Sequence, residues 1–353
     1  MNRHALEVCE LTADRESDYA GFVERLSDSM IYASLPYRSF LQRAVGGTPR
    51  YLVALRDGRI AGVLPYFERS HPDFGTVVNS LPWYGSHGGC VVAVDDDEAR
   101  SSLLSAFAAI LVSDRVSFAT TILTHAESAH RDDYSHVLCP TATDTRVGQV
   151  TRLPDDGPQV EQRLEALLRQ KTRNLVRKAR MQGFELANGD TDAGWRFLYE
   201  THLENLTAMG GRPKPPAHFE AMRHSIPVGW RRVLETRLAG TPVASVLLFK
   251  FNKTVEYVTP VVKREYRSMQ PLSFAIWHGM LEAVGEGYRH WNWGGTWASQ
   301  GTLHHFKAGW AAADLPYYYL VRATAGALSA WRRQPAEWSA AFPYYYVFPH
   351  DAT

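Results

Sequence analysis

The residues that could do chemistry gather in one stretch of the 353-residue chain, between Tyr257 and Trp310. It holds Arg264 and Arg267 in a basic loop, Pro271 at the start of an apolar segment, Trp297 in a glycine-rich loop, and the run His304-His305-Phe306-Lys307. Where a basic loop opens a helix, free backbone N–H groups and the positive end of the helix dipole meet, so Arg264–Pro271 is an anion site by geometry. A fixed lysine cation can stabilise negative charge that develops during a reaction. A histidine beside it can take a proton from an attacking amine. Together these suit a transferase that grips a phosphate-bearing donor.

The elements that must position these groups are legible around them. Val255–Val262 reads as a strand. Leu272–Val284 reads as a helix, because Phe274, Ile276, Trp277, Met280, Leu281 and Val284 recur at spacings of three and four. His290–Trp293 is a second strand, with Trp291 and Trp293 on one face and Asn292 on the other. Those two tryptophans suit a core, and Trp297, in a loop, suits stacking on a ligand. Upstream, Val160–Gln182 is expected to be one helix. It sets Arg169, Arg173, Arg177 and Arg180 in a stripe and turns Lys171, Asn174 and Lys178 toward the apolar side. Lys171, Arg173 and Lys178 are therefore candidates for holding a phosphate of the acceptor or an RNA backbone.

Composition limits the alternatives. With 38 basic and 37 acidic residues, any basic site must be local, and 45% apolar residues suffice for two or three domain cores. Cys9, Cys90 and Cys139 have no metal-like spacing, and no metal is expected. No triad spacing or Walker loop occurs, which argues against hydrolases and NTPases. No leader or long apolar run is visible, so a cytoplasmic protein without integral membrane contact is expected.

The chain also repeats itself. Cys9–Val45 reads as mostly helical, and two apolar runs joined at Asp57-Gly58 form a hairpin. A strand, the loop Tyr84-Gly85-Ser86-His87-Gly88-Gly89, a helix from Asp95 and a strand at Val116–Leu123 follow. Thr141–Pro158 reads as a linker. The same order then recurs, with a second hairpin around Ala239-Gly240. Residues 1–150 and 151–330 are thus expected to be two like domains, with 331–353 an aromatic tail.

This order resembles the GNAT acyltransferase fold, and two tandem copies resemble the FemABX family. Lys171–Gly183 is similar to the Fem pattern of basic, Arg, apolar, Lys-Ala and Gly, and Gly294-Gly295 with Phe306-Lys307 is similar to its ending. The resemblance implies an α/β (α+β) fold of two GNAT-like domains, each a mixed β-sheet flanked by helices. It implies amide formation, with Lys307 at the oxyanion or the donor's phosphate and Phe306, Arg264, Arg267 and Trp297 on the donor side. Tyr84 and His87 would lie on the acceptor side, and His305 is the candidate base. The loop Arg264–Gln270 contains no glycine, which degrades a pyrophosphate cradle for acetyl-CoA. The expected donor is therefore aminoacyl-tRNA, with no cofactor, and the acceptor a small-molecule or nucleotide-linked amine. Acyl-CoA-dependent N-acetylation of an amino sugar and a non-catalytic binding protein are the alternatives.

Overall fold

The computed structural model describes residues 6–83, 87–94, 96–113, 115–297 and 300–349. Its first elements are β1 (Glu7–Glu10), α1 (Glu16–Arg25), α2 (Leu35–Val45), β2 (Thr48–Arg56), β3 (Arg59–His71) and β4 (Gly75–Asn79). Then come β5 (Val91–Val92), α3 (Asp97–Leu111), β6 (Val116–Ile122), α4 (Arg131–Leu138) and β7 (Ala142–Arg152). The series restarts with α5 (Val160–Leu167), α6 (Gln170–Arg180), β8 (Phe184–Asn188), α7 (Asp192–Ala208), α8 (Pro216–Ser225), β9 (Arg231–Leu238), β10 (Thr241–Phe251) and β11 (Thr254–Val262). It closes with α9 (Pro271–Gly285), β12 (His290–Thr296), α10 (Gly301–Gly309), β13 (Ala313–Ala323), α11 (Ala325–Arg333) and α12 (Pro335–Ala341). No described helix is long and apolar enough to cross a membrane.

Two compact units result, residues 1–146 with 316–353, and residues 147–315. In the first the strand order is β1-β2-β3-β4-β6-β13, with β5 on β3; in the second it is β8-β9-β10-β11-β12-β7. In each, the fourth and fifth strands of that order are parallel and the other pairs for which registers are resolved are antiparallel. Both hairpins turn through two residues with left-handed φ, Asp57-Gly58 and Ala239-Gly240. The first sheet takes its last strand from beyond the second unit in sequence, whereas the second takes its last strand from its own first residues. Val147–Arg152 of β7 pair with β12, and Tyr319–Ala323 of β13 pair with β6.

Four expectations are corrected. The supposed linker 141–158 is largely strand, because Thr143, Thr145, Val147, Val150 and Thr151 are β-branched and suit a pleated surface. Residues 316–330 belong to the first unit rather than the second, since β13 takes its ladder from β6. The segment Cys9–Val45 starts with strand β1 on β2. Finally, the helix 160–182 is broken at Leu168 and Arg169, which are extended. Burial of the Leu168 side chain and the bond from Arg169 N to Gly309 O at 3.0 Å outweigh helix continuation there.

In the second unit α9 and α7 both pack on β9, β10 and β11. The α9 face is apolar, with Ala275, Ile276, Trp277, Met280 and Val284 against Leu234, Val246, Leu248, Val255 and Trp291. Gly279 allows the close approach: a Cβ there would lie 2.7 Å from Leu234 Cδ1 and 3.1 Å from the Trp291 ring. In the first unit the tail after α12 is bound as if by a strand. Asn79 Nδ2 donates to Tyr346 O at 2.8 Å, Tyr346 N donates to Asn79 Oδ1 at 2.7 Å, and Trp83 N donates to Tyr344 O at 2.8 Å. Trp338 packs on Phe74 and Phe118 beside it.

Asn79→Ala strips the partner from Tyr346 N and leaves Tyr346 O with Thr120 Oγ1 alone. It should cost about 1–3 kcal/mol in denaturant unfolding and open residues 342–349 to protease; an unchanged midpoint and an uncut tail would show that the aromatic packing alone holds the segment.

Candidate active site

The site is built where two strands stop pairing. β11 and β12 run parallel through Thr254↔His290, Val255↔Trp291 and Glu256↔Asn292, and no ladder continues beyond that pair. β10 keeps to β11 through a bulge at Leu247/Leu248, while β12 stays on β7 through an irregularity between Asn292 and Gly295. The two strands are thus drawn to different neighbours, and their ladder opens after that pair.

Buried polar groups flank this point. Glu256, 5% exposed, accepts from Asn292 Nδ2 at 2.8 Å. Asn292 Oδ1 in turn accepts from Gly294 N at 2.9 Å, and Gly294 takes φ 71°, a conformation that a side chain would strain. From the other side Lys307, only 3% exposed, donates to Gly294 O at 3.2 Å, Gly295 O at 3.1 Å and Thr296 Oγ1 at 2.8 Å. Burial lowers its pKa to about 8. Along β11, Lys214 Nζ donates to Thr259 Oγ1 at 3.0 Å, and burial lowers its pKa to about 8 as well. Lys214 N donates to His202 Nε2 at 3.0 Å, an imidazole whose pKa burial pulls down to about 4. The adjoining core is aromatic, with Tyr257 and Trp293 rings 4.9 Å apart and Phe306 edge-on to Trp293 at 6.0 Å.

The residues singled out in the sequence fall into three groups. Lys307, Phe306 and Gly294-Gly295 come together at the end of β12. Arg264 and Arg267 lie exposed in a 3-10 helix, Arg264–Met269, between β11 and α9. Tyr266 N and Gln270 N are spent there on Lys263 O and Arg267 O. Trp297, 51% exposed, follows β12 directly. The third group lies elsewhere. The buried face of α6 is Thr172, Val176 and Ala179, so Lys171 and Lys178 are exposed rather than turned into a cleft. Arg173 bonds Leu168 O and Gln170 Oε1 locally, and Arg177 pairs with Glu165. His305 is exposed, and it is His304 that meets a carboxylate, Asp314, at 2.9 Å.

His87 belongs to the first unit. It is buried between Tyr32 and Tyr317, its Nδ1 lies 3.2 Å from Leu123 O, and burial lowers its pKa to about 4, so it is a neutral core imidazole. Tyr84 lies outside the described residues. Among the described residues no group of three or more His, Cys, Asp or Glu side chains could hold a metal ion. Sequence reasoning missed Glu256, Lys214, Gln149, Asp314 and the part played by Asn292. The one available signal was a glutamate placed among the β-branched residues of a buried strand.

Residues 166–308, inside the second unit, match the protein family described as Acetyltransferase (GNAT) domain. No curated protein matches the chain in sequence. Among solved structures, FemX superposes with a TM-score of 0.73 at 12% identity, over 93% of this chain and 99% of that one. The C-terminal domain (DUF2156) of a candidate lysylphosphatidylglycerol synthetase from Agrobacterium fabrum gives 0.55 at 14% identity, over 91% and 95%. A tandem GNAT protein from the clavulanic acid biosynthesis pathway gives 0.53 at 10% identity, over 90% and 98%. The chain thus has a FemX-like fold of two tandem GNAT-type units, an acyltransferase architecture whose recognised GNAT domain lies in the second unit.

Proposed function

We propose that the protein is an amide-forming acyltransferase that moves an aminoacyl group from aminoacyl-tRNA to the amine of a small-molecule or nucleotide-linked acceptor in the cytoplasm. The observation that carries this reading is a buried carboxylate on β11, at the last pair of the parallel ladder, and a buried ammonium held to the end of β12 just beyond it. A ladder opened in this way admits an ester between the strands, and these charges suit attack by a neutral amine.

The amine nitrogen attacks the ester carbonyl carbon, the C–N bond forms, and the carbonyl electron pair moves to oxygen. Glu256 takes the proton that the amine loses. The C–O bond to the ribose then breaks, and the leaving oxygen receives that proton, giving an amide and deacylated tRNA. Lys307 contributes its charge rather than a free N–H, since its three donors are engaged at the strand end. A fixed cation in a water-poor site stabilises the oxyanion without reorganisation. Lys214 and the exposed Arg264 and Arg267 would meet acceptor and donor phosphates. The exposed Lys171 and Lys178 suit an RNA backbone.

Two features favour this donor over acyl-CoA. The loop before α9 has no glycine and spends N–H groups on its own 3-10 turns, which leaves a poor pyrophosphate cradle. One protein of similar fold also carries a name that records a lysyl product.

Donor choice is tested by melting point, because a ligand that binds only the folded state raises it. An aminoacylated acceptor-stem minihelix should stabilise the protein and acetyl-CoA should not; stabilisation by acetyl-CoA alone would overturn the donor and promote sugar N-acetylation. Replacing Lys171 and Lys178 together by Ala should weaken minihelix binding and flatten its log–log salt dependence by about 0.7–0.9 per lost contact. For chemistry, Lys307→Met should lower kcat by about 10²–10³ with the fold retained. In the wild type, the charged form of Lys307 is present below pH 8 and lost above it, so the rate should fall as pH climbs through about 8. That limb should be missing in Lys307→Met; equal turnover by the variant would leave the non-catalytic reading in front.

A further inference from the structure

The polar contacts of Lys307 do not end at the strand. Thr296 Oγ1, which accepts from Lys307 Nζ at 2.8 Å, donates to Gln149 Oε1 at 2.9 Å. Gln149 Nε2 donates to Asp314 Oδ1 at 3.2 Å and to His304 O at 3.3 Å. His304 Nε2 lies 2.9 Å from both carboxylate oxygens of Asp314. Five side chains from β7, β12, α10 and β13 therefore form one row, all within the second unit. Gln149 and Thr296 are fully buried, whereas His304 and Asp314 reach the surface.

The direction of each bond in this row is forced. An ammonium only donates, so the Thr296 oxygen accepts from it and gives its own proton to Gln149. The Gln149 amide must then turn its oxygen to Thr296 and its nitrogen to Asp314. His304 in turn carries on Nε2 the proton that it presents to Asp314. Every dipole points from the buried cation toward the surface anion, and dipoles aligned in this way reinforce one another in a low-dielectric interior. The amide of Gln149 does not relay protons, so the row acts through geometry and field.

We propose that Gln149, Asp314 and His304 are positioning residues for Lys307, holding the Thr296 hydroxyl with its oxygen turned to the ammonium and so fixing a positive charge at the parted strand ends. Its catalytic meaning rests on the reading of Lys307 given above, but the coupling itself does not. The other two contacts of Lys307 are uncharged carbonyls, and its titratable neighbour on α10, His305, is exposed. Asp314 is thus the anion that the row addresses.

The chain has seven lysines. Selective ¹³Cε-lysine NMR on the full-length protein can therefore follow Lys307 against pH, with Lys307→Met assigning its signal and no substrate required. Loss of the anion or the amide disfavours the ammonium, so Asp314→Asn and Gln149→Leu should each lower the Lys307 midpoint by about half a pH unit or more. His304→Ala should lower it too, while His304→Gln, which still presents an N–H to Asp314, should restore it. Asp314→Asn changes a surface group, so its melting point should stay near the wild type. A Lys307 midpoint unmoved in folded Asp314→Asn and Gln149→Leu would overturn the proposal. A lowered midpoint with unchanged turnover would keep the coupling and remove only the catalytic role of Lys307.

Discussion

The second unit depends on one constraint, the holding apart of β11 and β12 after Glu256 and Asn292. Parallel strands gain a hydrogen bond for each residue they keep paired, so a parting of this kind must be enforced. Here it is enforced from both sides of one bend. Asn292 ties the Gly294 amide toward Glu256, and Lys307 ties the carbonyls of Gly294 and Gly295 to itself. Gly294 supplies the left-handed φ that the bend requires. A buried ammonium is expensive, and its cost is offset only because all three of its donors find acceptors. The group that supplies charge to the site also gives the site its shape.

The two units place different chemistry at the same point of the fold. In the first, the last parallel pair is Asn79↔Thr120, and both side chains donate to Tyr346 O of the tail. In the second, the corresponding pair is Glu256↔Asn292, an acid and an amide. All seven lysines of the chain fall between Lys171 and Lys307, inside the second unit. The first copy has kept the scaffold, with a neutral pair and the chain's own backbone where the second presents ionisable groups.

Much of this was legible in the sequence, for reasons that differ by element. The α9 helix announced itself through 3.6-residue periodicity, and the hairpins through turn chemistry, because those signals are local. Lys307 and Gly294 stood out through their resemblance to the ending of the Fem pattern. What could not be read was set by tertiary packing. The break at Leu168 carries no proline or glycine; it exists because Arg169 bonds Gly309, more than a hundred residues away. Lys171 and Lys178, expected at a cleft, are at the surface because the face of α6 that packs is filled by Thr172, Val176 and Ala179. Gln149 looked like part of a linker and Asp314 carried no signal, and only their meeting with Thr296 and His304 gives them a role. The same holds for β7, whose threonines read as polar spacer until the edge of β12 supplied their ladder.

The place of β13 in the sequence bears on how the chain is made. The second unit is continuous in sequence, residues 147–315, whereas the first needs β13 and the tail, which follow it. During synthesis from the N-terminus, about 300 residues must therefore leave the ribosome before the first unit can close its sheet, although its other strands emerge earliest. Until then β6 keeps one open edge next to a completed parallel pair, an arrangement prone to wrong pairing. The first unit thus stays incomplete until the whole of the second, an insertion within it, has been made.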